Sequence, residues 1–190
     1  MPDVELPAVL ARRAREIPAR AGTCRIVAVD GPSGAGKSTL ADAIAAELGA
    51  QVVRLDDLIP GWDGLTAGPA ITLRDVVRPI AGGNDGGYRR YDWHRGEYAE
   101  WRPVPLAEHL VVEGCGAGVR DLAAYVSLLV WVEAERELRF ERGIARDGQA
   151  FLPHWTKWEK DSQALFAVEQ TRQRADVVVD GTDDDWVAGG

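Results

Sequence analysis

The run Gly31-Pro32-Ser33-Gly34-Ala35-Gly36-Lys37-Ser38 carries the clearest chemistry in this 190-residue sequence. Glycines at these spacings let the backbone curl until successive N–H groups point at one anion, and a helix starting just beyond adds its positive end. Lys37 can reach the outer phosphates of a nucleotide as a mobile point charge. The Ser38 hydroxyl can ligate Mg²⁺, and Thr39 is a helical neighbour in a secondary role. Gly31, Ser33, Gly34, Ala35, Gly36, Lys37, Ser38 and Thr39 therefore read as a P-loop, with ATP and Mg²⁺ as the implied cofactors.

Transfer of a phosphoryl group to a hydroxyl needs a carboxylate beside the acceptor, because removing the proton helps a weak nucleophile. Asp56 is the candidate for that role, with a share in holding the metal. Asp57 beside it contacts the acceptor, binds Mg²⁺ through water or caps the loop; the competing reading is a pair of acids in a solvated turn. Glu113, after the apolar run His109 to Val112, occupies a Walker B-like place where a carboxylate holds the metal's water shell. Ser38, Asp56 and Glu113 are thus the expected metal group. The segment Tyr88-Arg89-Arg90-Tyr91-Asp92-Trp93-His94-Arg95 reads as too polar and aromatic for core, and its rings and hydrogen-bonding groups suit an acceptor pocket. Tyr91, Asp92 and Trp93 are favoured within it, and Trp62 is placed with them; an aromatic surface loop explains the same residues.

Arg136, Arg139, Arg142 and Arg146 recur at three- and four-residue spacings, so a helix lines them along one side. A lid over approximately 136–160 is the sharper interpretation, in which Arg142 and Arg146 close on the triphosphate and exclude water. An exposed helix laced by Glu133, Glu135, Glu137 and Glu141 competes with it. His154, Trp155 and Trp158 are expected to pack the lid against the core.

Positioning these groups takes a scaffold, and the apolar pattern supplies one. Thr23 to Val29, Gln51 to Leu55, His109 to Val112, Ser127 to Val132 and Asp176 to Val179 read as buried strands. Helices are expected over Leu6 to Ile17, Lys37 to Leu48 and Thr72 to Ile80, and Ala81 to Gly87 as an exposed turn. Strand and helix alternate, which predicts an α/β P-loop three-layer fold: a five-stranded parallel sheet with helices on both faces, ligands at the strands' carboxyl ends, and a helical lid. The length suits one domain over 1–190.

A net charge of −8 argues against nucleic acid or an anionic membrane as partner. The start of the chain lacks the pattern of a secretory signal and no apolar run reaches membrane-spanning length, so a cytoplasmic protein with a small-molecule acceptor is expected; homo-oligomerisation stays open. Cys24 and Cys115 read as buried hydrophobes, and the acidic run at 183–185 as solvated surface. The chain lacks the guanine-specifying NKxD of a switch GTPase. An ABC or AAA-type ATPase is expected to need more length, which leaves a small-molecule kinase.

With these residues placed, the chain resembles the uridine kinase-like branch of P-loop kinases. Gly31 to Thr39 is similar to the family's P-loop, Leu55-Asp56-Asp57 to the strand end with its acceptor-activating Asp, and Tyr91-Asp92-Trp93 to its Tyr-Asp-aromatic substrate motif. Val112-Glu113-Gly114 is similar to its third strand end, and Arg139 to Asp147 to its lid helix. The resemblance implies ATP- and Mg²⁺-dependent phosphorylation of a nucleoside, uridine- or cytidine-like. Gly143 stands where the family commonly has a second lid arginine, the family's usual His after the Tyr-Asp-aromatic motif is not in place, and Pro60-Gly61-Trp62-Asp63-Gly64 replaces its usual loop, which point to a divergent acceptor pocket. Alternatives are a kinase of a sugar, a vitamin precursor or a nucleoside monophosphate, the last using Arg89, Arg90 and Arg95, and a non-catalytic ATP-binding regulatory module.

Overall fold

The computed structural model describes residues 5–148 and 152–182. The acidic run at 183–185 and the part of the lid region at 149–151 lie outside the described residues. In chain order the elements are α1 (Leu6–Glu16), β1 (Arg25–Asp30), α2 (Lys37–Leu48), β2 (Gln51–Arg54), α3 (Ala67–Ile71), α4 (Arg78–Ala81), β3 (Gly86–Asp92) and β4 (Glu97–Val104). They continue with β5 (His109–Glu113), α5 (Arg120–Ala123), β6 (Val126–Glu133), α6 (Arg136–Asp147), α7 (Leu152–Glu169), α8 (Thr171–Arg174) and β7 (Val177–Asp180).

Side-chain alternation explains the sheet. Along β1, Ile26 and Ala28 join one apolar cluster while Val27 and Val29 join another, and all four are buried. A strand with two apolar faces is stable only where both faces are covered. β1 accordingly lies at the centre of a parallel five-stranded sheet of order β2-β5-β1-β6-β7. On one face Leu10 and Ala14 of α1 and Leu40 and Ile44 of α2 pack on Val27, Val111 and Val130; on the other, Ile59, Val76 and Ile80 pack on Ile26 and Val112. Each such Leu, Ile or Val contributes about 1.5–3 kcal/mol by leaving water. Cys24 and Cys115 are buried and free, as expected.

Two local outcomes differ from the sequence expectation. The helix expected over Thr72 to Ile80 begins earlier, at Ala67, and passes through a π-helical stretch, Thr72–Val77, before α4. Pro79, which has no N–H to donate, sits just past that stretch. The polar-aromatic segment from Tyr88 is not a loop. It forms an antiparallel hairpin of β3 and β4, pairing Tyr88 with Arg102 and Tyr91 with Tyr98, separate from the main sheet. Tyr88 is only 2% exposed, which corrects its placement outside the core. Its ring turns inward and its hydroxyl donates to Asp57 Oδ2 at 3.3 Å, so the polar end is not left unpaired. Among the described residues no helix is long and apolar enough to cross a membrane.

Candidate active site

The P-loop joins the buried carboxyl end of β1 to α2. Gly34 and Gly36 take φ of 78° and 96°, left-handed values that β-carbons oppose, and α2 starts with no side-chain cap on its first N–H groups. Anion-seeking backbone dipoles are therefore left facing the loop. Lys37 is buried and donates from Nζ to the Pro32 carbonyl at 2.9 Å, across the loop. Thr39 is exposed on α2. Gly34 also touches the lid: a β-carbon there would lie 2.2 Å from the Arg139 carbonyl oxygen.

The structure adds a residue that the sequence reading missed. Asp30, fully buried at the end of β1, accepts from the N–H of Gly31 at 2.7 Å and Gly116 at 2.9 Å on Oδ1, and of Gly118 at 2.8 Å on Oδ2. It ties the first peptide of the P-loop to the turn after β5. Burial pushes its carboxyl up to about 6, against the pull of those three N–H groups and of Lys37. An acid ending an otherwise apolar strand was the available signal.

Glu113 ends β5 at the P-loop, and its Oε1 accepts from the Ser38 hydroxyl at 3.1 Å and lies 3.5 Å from Arg54 Nε. Burial first, then the neighbouring Asp56 charge, raise its carboxyl, while Lys37, Ser38 and Arg54 oppose the rise. Asp56 is exposed, in a 3₁₀ turn (Leu55–Asp57) just beyond β2. One hydroxyl and two carboxylates on one edge form an oxygen donor set of the kind Mg²⁺ accepts, since that ion keeps several waters and needs few protein ligands. Ser38 and Glu113 are in contact there, and the Asp56 charge is close enough to act on Glu113.

Beside Asp56 stands an aromatic wall. Trp93 Nε1 donates to the Asp56 carbonyl at 2.9 Å, and the Trp93 ring meets Tyr91 at 5.6 Å and Trp62 at 4.9 Å, both edge to face. Trp62 stacks on His154 of α7 at 4.4 Å, so loop, hairpin and lid region meet there. The structure thus brings Trp62, Tyr91 and Trp93 together beside Asp56. Asp92 and Asp57 are not available in the same way. Asp92 Oδ1 accepts from the N–H of His94 and Arg95, and Oδ2 from Arg90, which gives the carboxylate a place in the hairpin turn rather than in the pocket. Asp57 is engaged by the Tyr88 hydroxyl and by Arg102 at 3.6 Å, anchoring the hairpin to the 3₁₀ turn.

The arginines of α6 divide their tasks. Arg139, 7% exposed, crosses to the P-loop: Nη1 donates to the Ser33 carbonyl at 3.3 Å, and Nη2 pairs with Glu159 of α7 at 3.1 Å. Sequence spacing favoured Arg142 and Arg146 over it because register alone does not show which side of a helix faces the loop. Arg142 donates to the carbonyls of Gly181 at 2.6 Å and Thr182 at 3.2 Å, tying α6 to the end of β7. Arg146 pairs with Asp147 at 2.7 Å; that pair chiefly favours its charged form, and Asp56 also contributes, which places Arg146 within electrostatic reach of the acidic turn. Trp155 and Trp158 are buried, Trp155 against Phe140 of α6 at 5.3 Å, in the packing role expected of them.

Comparison with solved structures finds the same fold repeatedly. A possible uridine kinase from Bacillus stearothermophilus aligns with a TM-score of 0.67 at 19% identity, covering 92% of this chain and 97% of that one. A candidate fructose transport system kinase from Silicibacter sp. TM1040 aligns at 0.58 and 21% identity, over 93% and 100% of the two chains. Shikimate kinase from Bacteroides thetaiotaomicron gives 0.50 at 14%, over 86% and 91%. The fold is that of P-loop kinases. No curated protein matches the sequence. A family model described as AAA domain matches residues 26–183. Length counted against an AAA-type protein in the sequence, and that expectation is corrected: the matched span fits inside this short chain, from β1 to just past β7. On a match that takes in the P-loop and all five strands of the main sheet, the chain belongs to the AAA domain family.

Proposed function

We propose that the protein is an ATP- and Mg²⁺-dependent small-molecule kinase that transfers the γ-phosphoryl group to a hydroxyl of a nucleoside, uridine- or cytidine-like. The observation that carries the reading is the carboxyl edge of the sheet, where Ser38 of the P-loop, paired with Glu113 of β5, adjoins Asp56 and its wall of Trp62, Tyr91 and Trp93. The P-loop N–H groups and Lys37 bind and orient the phosphates, Lys37 leaving the Pro32 carbonyl for them. Ser38, Glu113 and Asp56 would hold Mg²⁺, directly or through its water, and the ion would neutralise charge on the triphosphate. Asp56 takes the acceptor's proton, the aromatic wall stacks the acceptor's ring, and Arg146 supports the developing charge from the lid. The whole chain acts as one kinase domain in the cytoplasm.

The state of the hairpin arginines favours a neutral acceptor over a monophosphate. Arg90 is bound to Glu100 and Asp92, Arg95 to Glu97, and Arg89 to the Ala99 carbonyl. The test is ADP release from ATP and Mg²⁺ across a panel of uridine, cytidine, sugars and nucleoside monophosphates, for the parent and for Asp56→Asn. A nucleoside-dependent turnover that falls by about 10²–10⁴-fold in the variant, with ATP affinity nearly intact, is expected. Full activity in Asp56→Asn removes Asp56 from the mechanism. Tight ATP binding with no acceptor-dependent turnover supports the regulatory module instead.

A further inference from the structure

The opposite end of the sheet holds a cleft of about 400 Å³, formed where the link between α1 and β1, the start of β6 and the segment between α8 and β7 come together. That volume is within the range of about 300–1,000 Å³ typical of small-molecule sites. It lies at the amino ends of β6 and β7, and one of its lining residues, Gly118, is joined through Asp30 to the first peptide of the P-loop. Val126 and Leu129 give it an apolar floor, and Arg20 and Arg174 stand on its walls.

The cationic groups there form no close ion pair. Among the described residues neither Arg20 nor Arg174 has a carboxylate within ion-pair distance. Arg20 reaches only the Val126 carbonyl, at 3.5 Å, and Arg174 the carbonyls of Glu169 and Gly118. Burial, and then the like charge of Arg120, disfavour the charged form of Arg174, while Glu169 and Asp30 act the other way. Asp176, the carboxylate in the lining, is turned to the backbone, its Oδ2 accepting from the Leu129 N–H at 2.8 Å.

Ser127 adds a second, independent sign. β1 pairs Ile26 with Val126 and then Val27 with Leu128, so Ser127 is the extra residue of a bulge. Bulges re-aim a side chain and gather beside functional sites. Ser127 lines the cleft, is buried, and its hydroxyl has no hydrogen-bond partner. The neighbouring backbone also leads inward: the Gly118 carbonyl is held by Arg174, while the Gly118 N–H is held by Asp30.

We infer that this cleft is a second binding site, for a small organic phosphate ester whose phosphate is held between the guanidinium groups of Arg20 and Arg174 and whose carbon body rests on Val126 and Leu129. Guanidinium forks match phosphate oxygens in geometry as well as charge. The site is independent of the reading of the P-loop.

The experiment is calorimetric titration of the full chain with phenyl phosphate, beside Arg20→Glu and Lys37→Ala. Arg20 is exposed and makes a single long contact, so its variant keeps the fold, which circular dichroism checks. The expected result is saturable binding with a Kd below about 1 mM, weakened about tenfold or more by Arg20→Glu and unchanged by Lys37→Ala. Absence of saturable binding up to about 10 mM overturns the inference. So does binding that Arg20→Glu leaves unchanged, including binding that Lys37→Ala removes, which places the probe in the P-loop.

Discussion

Replacing Asp30 with asparagine separates the ordering of the P-loop from the stability of the fold. The parent carboxylate accepts three backbone N–H groups, two on Oδ1 and one on Oδ2. In Asp30→Asn the amide oxygen can keep the Gly31 and Gly116 bonds, and the NH₂ then faces the Gly118 N–H, donor against donor. A buried N–H left without an acceptor costs about 1–3 kcal/mol. Against this, the carboxyl moves from an ordinary 3.8 to about 6 in the fold, an ionisation penalty of ~3 kcal/mol at neutral pH that asparagine does not carry. The two effects oppose each other with similar size, so the neutral-pH Tm should change little. ATP affinity should fall about tenfold, because the first peptide of the P-loop loses its fixed anchor in the turn after β5.

The pH dependence carries the sign. The folded carboxyl binds its proton more tightly than the unfolded one, so between about 4 and 6 the folded state holds more protons. Parent stability from this group is therefore greatest below the unfolded value, falls as pH rises through that window, and is level above about 6. Unfolding free energies of parent and Asp30→Asn from denaturant melts between pH 4 and 8 should diverge by up to ~3 kcal/mol in that sense. Parallel profiles in the two proteins, or unchanged ATP affinity in the variant, would refute the reasoning.

Substitutions at Gly34 and at the Arg139–Glu159 pair probe the contact of lid and loop. Gly34→Ala sets a β-carbon 2.2 Å from the Arg139 carbonyl at a φ of 78°, so the P-loop or α6 must shift; a stability loss of about 1–3 kcal/mol in denaturant melts, with weakened ATP binding by calorimetry, is expected. Glu159→Ala leaves the buried Arg139 guanidinium without its carboxylate and should cost about 3 kcal/mol, whereas Arg139→Met with Glu159→Leu should recover most of that loss in the same melt.

The sequence alone determined the sheet and the phosphate loop. Both are written in local terms: runs such as Ile26 to Val29 are apolar on successive residues, so they suit a doubly covered strand, and the glycine spacing of the P-loop states a backbone conformation directly. The alternate strands, α2 and the helix of arginines followed from the same periodicities. The hairpin did not, because Arg89 and Arg90 next to Tyr88 mask a two-residue alternation whose polar members pair across strands, as Arg90 does with Glu100. Tertiary structure alone decided which acid or arginine faces what. Asp30 acquires its place from peptides more than eighty residues away, Asp92 and Asp57 are engaged by the hairpin, and Arg139, not its neighbours on α6, turns to the P-loop. The physical reason is that hydrogen bonding and burial depend on which elements meet in space, and the residue types of a charged helix or an acidic turn are the same whichever way they point.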